Sequence, residues 1–199
     1  MAAIVLAAGA SKRFASENKL LADIDGRSVI ESVFTNVAQC GFDEVFVVIA
    51  PAQSKLATLV ETAGFTAVDN PHPELGMGSS IACGIRRILD QKPENFSGVA
   101  VFLGDMPSIG SDISHQLTEE FDRANGKNIV RPISSSNQES TPGHPVLFPA
   151  EFLPMLASLT GDSGAKGLID ANLHRLIKVN VPDASVTRDI DYPSDLSGR

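Results

Sequence analysis

The sequence predicts an α/β fold, a three-layer α/β/α sandwich in which helices cover both faces of a mostly parallel sheet. Three observations predict it. The opening apolar run, Ala2 to Ala7, is continuous and too short for a typical helix, which is how a strand buried on both faces reads. Similar short runs rich in β-branched and aromatic residues recur along the chain. Helical patterns separate them, as parallel neighbours require, because each parallel pair needs a crossover.

Taken in order, the first strand, Ala2–Ala7, is interrupted at Gly9. A helix over Ser28–Gln39 then sets Val29, Ile30, Val33, Phe34 and Val37 on one stripe, with Gly41 as its stop. Val45–Ile49 is the second strand, Ala52–Ala63 the second helix and Thr66–Val68 the third strand. Ser79–Leu89 is helical, Val99–Leu103 is a strand and Ser111–Arg123 is helical. Strands at Ile129–Val130 and Pro145–Phe148 precede a helix over Glu151–Leu159. A helix over Ala165–Leu173 and a last strand, Leu176–Val179, complete the alternation. Ser134 to Gly143, poor in apolar residues, reads as a mobile loop over the site.

At 199 residues the chain suits one domain spanning 1–199, able to bury roughly 70% of its unfolded surface. With 43% hydrophobic and 20% charged residues, disorder and disulfide scaffolds are excluded. The formal charge of −8 repels a polyphosphate backbone, so nucleic acid is not an expected partner, and an anionic ligand needs local cations or metal. No stretch approaches the ~20 apolar residues of a membrane span, and no basic segment precedes the first apolar run, so a soluble cytoplasmic protein is expected. Cys40 and Cys83 lie far apart, without a zinc-like cluster, and are expected to be packing residues.

Open sheets bind ligands at the carboxyl ends of their strands. After the first strand, the small residues of Leu6-Ala-Ala-Gly-Ala-Ser-Lys-Arg-Phe14 let backbone N–H groups approach an anion, with Lys12, Arg13 and Lys19 supplying charge. The same residues fit a plain tight turn. Neither Gly-x-x-x-x-Gly-Lys-Ser/Thr nor Gly-x-Gly-x-x-Gly is present. Gly104-Asp-Met-Pro107 places Asp105 at a strand end, fit to be an oxygen ligand for Mg²⁺ or to cap the turn. Asp189 and Asp191, two apart, share a face of an extended segment and offer a partner carboxylate, or form an acidic turn with Ser194 or Asp195 at a helix start. In Glu74-Leu-Gly-Met-Gly-Ser-Ser-Ile81, Ser79 and Ser80 sit at a helix start, where they reach a nucleotide or act as caps. Gly143-His-Pro145 and Gly161-Asp-Ser-Gly-Ala165 are further candidates.

In this order the segments resemble the MobA-like nucleotidyltransferases, and most closely the molybdenum cofactor cytidylyltransferase (MocA-like) branch. The resemblance spans nearly the whole chain. It is carried by Leu6 to Phe14 with Lys19-Leu-Leu21, then Gly76-Met-Gly-Ser-Ser80, Gly104-Asp-Met-Pro107, Gly143-His-Pro-Val-Leu-Phe148, Gly161-Asp-Ser-Gly-Ala165 and Asp189-Ile-Asp-Tyr-Pro-Ser-Asp195. It implies a Rossmann-like sheet of the nucleotide-diphospho-sugar transferase type and transfer of CMP from CTP to a phosphorylated molybdopterin, with pyrophosphate released. By that resemblance Leu6, Ala7, Ala8, Gly9, Ala10, Ser11, Lys12, Arg13, Lys19, Gly78, Ser79, Ser80 and Asp105 surround the nucleotide. Arg13, Lys19 and Asp105 are the catalytic set. Mg²⁺ is implied on Asp105 and Asp191, with Asp189 the alternative ligand, and His144 and Asp162 face the second substrate. Ala8 stands where related guanylyltransferases carry Gly, which favours CTP by analogy. The segment after Phe14 and Tyr192 depart from the common pattern.

The same frame also fits a GTP-using or sugar- or alcohol-phosphate transferase. It fits, too, a non-catalytic protein delivering the cofactor to a xanthine dehydrogenase-like partner through the Ser134–Gly143 loop. An oxidoreductase is disfavoured by the missing Gly-x-Gly-x-x-Gly.

Overall fold

Strand β1, Ala2–Ala7, is buried at every position but Leu6, as its uninterrupted apolar sequence requires. A computed structural model of the chain describes residues 1–9, 18–91, 96–135, 140–182 and 184–197. In chain order, β1 is followed by a 3₁₀ turn at Lys19–Leu21, a short hairpin of β2 (Asp23–Ile24) and β3 (Arg27–Ser28), and helix α1 (Val29–Ala38). Next come β4 (Glu44–Ile49), α2 (Ser54–Thr62), β5 (Thr66–Asp69), α3 (Met77–Leu89), β6 (Gly98–Leu103) and α4 (Ser111–Arg123). The remainder is β7 (Ile129–Ser134), β8 (Thr141–Pro142), β9 (Val146–Pro149), α5 (Leu153–Leu156), α6 (Lys166–Ala171) and β10 (Leu176–Val181).

The main sheet runs in the order β10-β7-β9-β6-β1-β4-β5, with β8 paired to β7. Contacts of β1 with β4 and β6, β4 with β5, and β10 with β7 are parallel. β9 is antiparallel to both β6 and β7. The fold is the predicted mixed α/β sandwich with a mostly parallel sheet.

Period-2 alternation explains the two cores. Ala3, Val5 and Ala7 of β1 join Val33 and Phe34 of α1, Val60 of α2, and Leu117 and Phe121 of α4 on one face. Ala2 and Ile4 join Ile81, Ile85 and Ile88 of α3, Leu153 and Leu156 of α5, and Ile169 of α6 on the other. Helix α1 opens with a capping box: Glu31 N–H donates to Ser28 Oγ, and Ser28 N–H to the Glu31 carboxylate.

Four local expectations are corrected. α3 begins at Met77 with Gly76 as its N-cap, so neither Ser79 nor Ser80 caps it. The single helix expected over Glu151–Leu159 is a 3₁₀ turn at Ala150–Phe152 and one α-turn, because Pro154 lacks the N–H a continuous helix needs and suits only a first turn. The helix expected to Leu173 ends at Ala171, and a 3₁₀ turn, Leu173–Arg175, follows. Part of the expected Ser134–Gly143 loop is sheet: Ile133 and Ser134 pair with Pro142 and Thr141. Residues 136–139 of that segment lie outside the described residues. Both cysteines are free and half-buried. Among the described residues no helix is long and apolar enough to cross a membrane.

Candidate active site

The carboxyl ends of β1 and β6 lie side by side, with Leu6 opposite Leu103. Gly104 N–H then donates to the Leu6 carbonyl at 2.9 Å, and a Cβ at Gly104 would fall 2.9 Å from that oxygen, so only glycine lets the two strand ends close this tightly. Asp105 follows directly. Its carbonyl accepts from Ile190 N–H at 2.9 Å, which ties the C-terminal acidic segment to the same spot. Ile190 is buried, while Asp189 and Asp191 on either side of it reach the site.

Lys19 joins from the 3₁₀ turn. Leu20 anchors that turn in the core and Asn18 Oδ1 accepts from Leu20 N–H, fixing the backbone beneath the lysine. Lys19 Nζ donates to Asp105 Oδ2 at 2.6 Å and to Asp191 Oδ1 at 3.4 Å. The three side chains are 15%, 21% and 37% exposed, so the bridge is partly shielded from water. Burial by itself would lower the Lys19 pKa, but the hydrogen bond and charge of Asp105, reinforced by Asp191, raise it above the ordinary lysine value. Asp189 is pushed up, first by burial and then by the negative charges of Asp191 and Asp105. Asp105 and Asp191, 86 and 172 positions from Lys19, thus bracket one ammonium, and the Asp189 carboxylate feels their charge.

A cleft of about 590 Å³, lined by Asp105 and Asp189 of this cluster, is within the size range of small-molecule sites. Leu6, Ala8, Gly9, Ser80 and Leu103 line it, together with Glu74, Asp105, Asp162 and Asp189. Among the described residues, nothing beyond its own chain neighbours lies within 4 Å of where a Gly9 Cβ would be. Four acidic side chains make the cleft hostile to a polyanion unless cations accompany it. The donor set suits a divalent ion: hard carboxylate oxygens, two of them already converged on one cation. Among the described residues no three His, Cys, Asp or Glu side chains could hold an ion by themselves. Mg²⁺ and Mn²⁺ commonly take one or two carboxylates and complete their shell with phosphate oxygens and water, so Asp105 with Asp191 fits that demand.

The predicted residues do not all meet the cleft in the same way. Ala7 is buried in β1 beneath it. Gly78 is pressed against the chain at Thr160, where a Cβ would fall 2.6 Å from the carbonyl oxygen, and its N–H donates to the Gly161 carbonyl at 2.8 Å. A Cβ at Gly76, φ +92°, would overlap the Asp162 carboxylate. These glycines are required for close backbone packing between two of the motifs. Ser79 Oγ is within donating reach of the Gly76 carbonyl of its own turn and of the His72 carbonyl in the segment before it. Ala10, Ser11, Lys12 and Arg13 lie outside the described residues. Asp195 accepts from the N–H groups of Asp191 and Tyr192, shaping the turn that carries Asp191.

Sequence reasoning missed Asn70. Its buried amide donates to both Ser79 Oγ and Ser80 Oγ at 3.0 Å, and its Oδ1 accepts from His72 N–H, so it fixes the wall of the cleft. Its position at the carboxyl end of β5 was the available signal.

A second cavity of about 470 Å³ adjoins the first, and Met77 lines both. Its floor is apolar, with Ile81, Val101, Val146, Phe148 and Ile169, and Arg131, His144, Lys166 and Asp170 supply its polar walls. Arg131 Nε donates to the Gly143 carbonyl at 3.0 Å, and Lys166 pairs with Asp170. The His144 ring keeps some surface, but its Nδ1 is shielded from water and has no hydrogen-bond partner among the described residues. Burial and then the Arg131 charge lower its pKa to about 4, so it is a neutral hydrogen-bonding group near pH 7. Asp162 lines the first cavity and His144 the second, so the two predicted second-substrate residues stand on different sides of Met77. Arg131 was missed because the strand read at Ile129–Val130 extends to Ser134.

The family described as the MobA-like NTP transferase domain matches residues 3–176. Nicotine blue oxidoreductase of Paenarthrobacter nicotinovorans is 24% identical over 189 residues, which cover 94% of this chain and 90% of that protein. Among solved structures, an Rv0371c homologue from Mycobacterium sp. strain JC1 is similar with a TM-score of 0.79 and 26% identity, over 98% of this chain and 91% of the other. Rv0371c of Mycobacterium tuberculosis H37Rv, in complex with manganese, gives a TM-score of 0.74 and 23% identity over 98% and 94% of the two chains. A CMP:2-keto-3-deoxy-manno-octonic acid synthetase complexed with CTP gives 0.72 and 14% over 98% and 95%. At such identities the last two share the fold alone.

Proposed function

The chain belongs to the MobA-like NTP transferase domain family and is a nucleotidyltransferase of that family; from that premise we propose that it moves CMP from CTP to the phosphate of a molybdopterin-type cofactor, releasing pyrophosphate. The observation that carries the reading is the bridge of Lys19 between Asp105 and Asp191, of which Asp105 lines a cleft at the ends of β1 and β6.

In this reading an oxygen of the acceptor phosphate attacks the α-phosphorus of CTP and the bond to the β,γ-pyrophosphate breaks. Both partners are anions and charge gathers on the departing pyrophosphate, so positioning and electrostatics supply most of the rate. Lys19 neutralises phosphate oxygens, and the backbone at Ala8 and Gly9 lets the triphosphate approach closely. The loop continuing through Ala10, Ser11, Lys12 and Arg13 is proposed to complete the cradle. Asp105 and Asp191 would hold Mg²⁺, with Asp189 as the alternative ligand; the bound ion would offset phosphate charge and polarise a phosphoryl oxygen. Ala8 and Ser80 border the base, and the methyl of Ala8 narrows the space against a purine.

The apolar second cavity, with Arg131 and neutral His144, suits a flat acceptor carrying an anionic group, delivered across Met77 to the nucleotide. Asp162, on the nucleotide side, is proposed to meet the acceptor where the two ligands join. The manganese and CTP in structures of the same fold support metal-assisted use of CTP. We place the reaction in the cytoplasm, with a xanthine dehydrogenase-family enzyme as the recipient of the product.

The test is calorimetry with CTP and GTP, with and without Mg²⁺ at fixed ionic strength, followed by pyrophosphate release from CTP on addition of molybdopterin. Metal-dependent binding of CTP over GTP together with release supports the reading. GTP preference moves it to the guanylyl reaction, release only with a sugar or alcohol phosphate moves the acceptor, and pterin binding without turnover moves it to cofactor delivery. A second reading is favoured by the name of the oxidoreductase relative. Consumption of NAD(P)H with a reducible heteroaromatic dye, and no pyrophosphate release, would select it.

A further inference from the structure

We propose that Lys19 is the resident cation of the carboxylate pair: its ammonium holds the place between Asp105 and Asp191 until a nucleotide's phosphates draw it away and a divalent ion replaces it. The inference rests on the reading of Asp105 and Asp191 as the metal-holding pair. Nζ stands 2.6 Å from Asp105 Oδ2 and 3.4 Å from Asp191 Oδ1. A small divalent ion binds carboxylate oxygen at about 2.1 Å and tolerates no ammonium between the same two oxygens. The two cations are therefore alternatives.

Without a cation between them, the carboxylates of Asp105 and Asp191, 21% and 37% exposed, would repel each other in a partly shielded site. The exchange needs little movement of the chain. Leu20 and the Asn18 cap hold the turn in place, while the four-carbon stem of lysine can swing its point charge. The cleft bordered by Ala8 and Gly9 gives the triphosphate a place beside the bridge. Phosphate oxygens then compete with two carboxylates for one ammonium, and the vacated pair takes the metal. Binding of nucleotide and metal is thereby coupled, each raising the affinity for the other by the same factor. Metal enters productively with its nucleotide, and the empty site resists it.

The test is Mn²⁺ binding to the nucleotide-free protein, followed by the electron paramagnetic resonance of the free ion. Lys19→Met is expected to bind Mn²⁺ at least about fivefold tighter than the wild type, the lower end of ordinary coupling between sites. Lys178→Met, which removes the same charge from an exposed position on the edge strand β10, controls for net charge. Tightening in Lys19→Met no greater than in Lys178→Met overturns the exchange. Asp105→Asn is expected to lose Mn²⁺ binding; if it binds like the wild type, the metal reading of the pair itself fails, whatever Lys19→Met does. A second measurement needs no folded variant at position 19. The ¹³Cε signal of Lys19 in lysine-labelled wild type is expected to shift when CTP and Mg²⁺ are added together, and a signal indifferent to both overturns the proposal.

Discussion

His144 gives the structure a pH dependence whose size follows from its surroundings. Its imidazole takes up a proton at about 4, against 6.5 for a free histidine, because burial and then the Arg131 guanidinium oppose the charge. Weaker opposing effects come from the Val101 carbonyl and the Asp105 carboxylate. In the unfolded chain the ring protonates near its ordinary value, so between about pH 6.5 and 4 the unfolded state binds more protons than the native one. Stability contributed by the neutral ring is therefore complete above pH 6.5 and is lost as pH falls through that window. At 1.36 kcal/mol per pKa unit, the loss by pH 4.5 is about 2–3 kcal/mol. Asp189 is shifted the opposite way for its type, upward, and gains stability as pH falls, so the wild-type curve alone mixes the two. Urea unfolding of wild type and His144→Asn at pH 7 and pH 4.5 separates them. The wild type should lose about 2–3 kcal/mol more than the variant over that interval. Equal losses would refute the neutral, desolvated imidazole.

Asp105→Asn should lower turnover by about two orders of magnitude or more, the scale of losing one electrostatic contact to developing charge. Its melting temperature should hold or rise, since one of three mutually repelling carboxylates is gone; a large fall in melting temperature with turnover intact would reverse the assignment. Gly78→Ala puts a Cβ 2.6 Å from the Thr160 carbonyl and should destabilise by about 1–3 kcal/mol. Gly167→Ala, in α6, where a Cβ meets nothing within 4 Å among the described residues outside the helix's own backbone, should gain about 0.5–1 kcal/mol by the same thermal assay. Arg131→Met should raise KM for the acceptor about tenfold or more while leaving KM for CTP within twofold, which steady-state kinetics in each substrate will show.

The sheet was legible where burial dictates sequence. β1, β4 and β6 are largely enclosed on both faces, so their apolar runs stand out, and α1 announces itself by its stripe and its Gly41 stop. The direction of β9 was not legible, because Pro145 to Phe148 reads the same whether the strand runs parallel or antiparallel. Pro154 shows the limit from the other side: apolar spacing around it looked helical, while its missing N–H allowed only a single turn. At the site, Asp105 was visible from its place after a strand. Its bond to Lys19 was not, since convergence over 86 residues depends on the register of β6 against β1 and on the anchoring of Leu20. Asn70 and Arg131 escaped because neither belongs to a pattern; each matters through what the fold brings to it. The packing demand on Gly76 and Gly78 was not legible, since their immediate neighbours, Asp162, Gly161 and Thr160, come from a distant segment.

Those glycines make the partition between the two cavities largely a matter of main chain. Gly76 and Gly78 face Thr160, Gly161 and Asp162 with no room for added atoms, and Gly161 N–H reaches back to the Leu75 carbonyl at 3.0 Å. A wall built this way offers few handles to mutation: nearly any side chain introduced there breaks it before it changes what it touches. Divergence in ligand preference would have to proceed from the opposite walls, through Ala8, Ser80 and Leu103 on one side and Arg131, His144 and Phe148 on the other, while Met77 remains the one adjustable doorway between them.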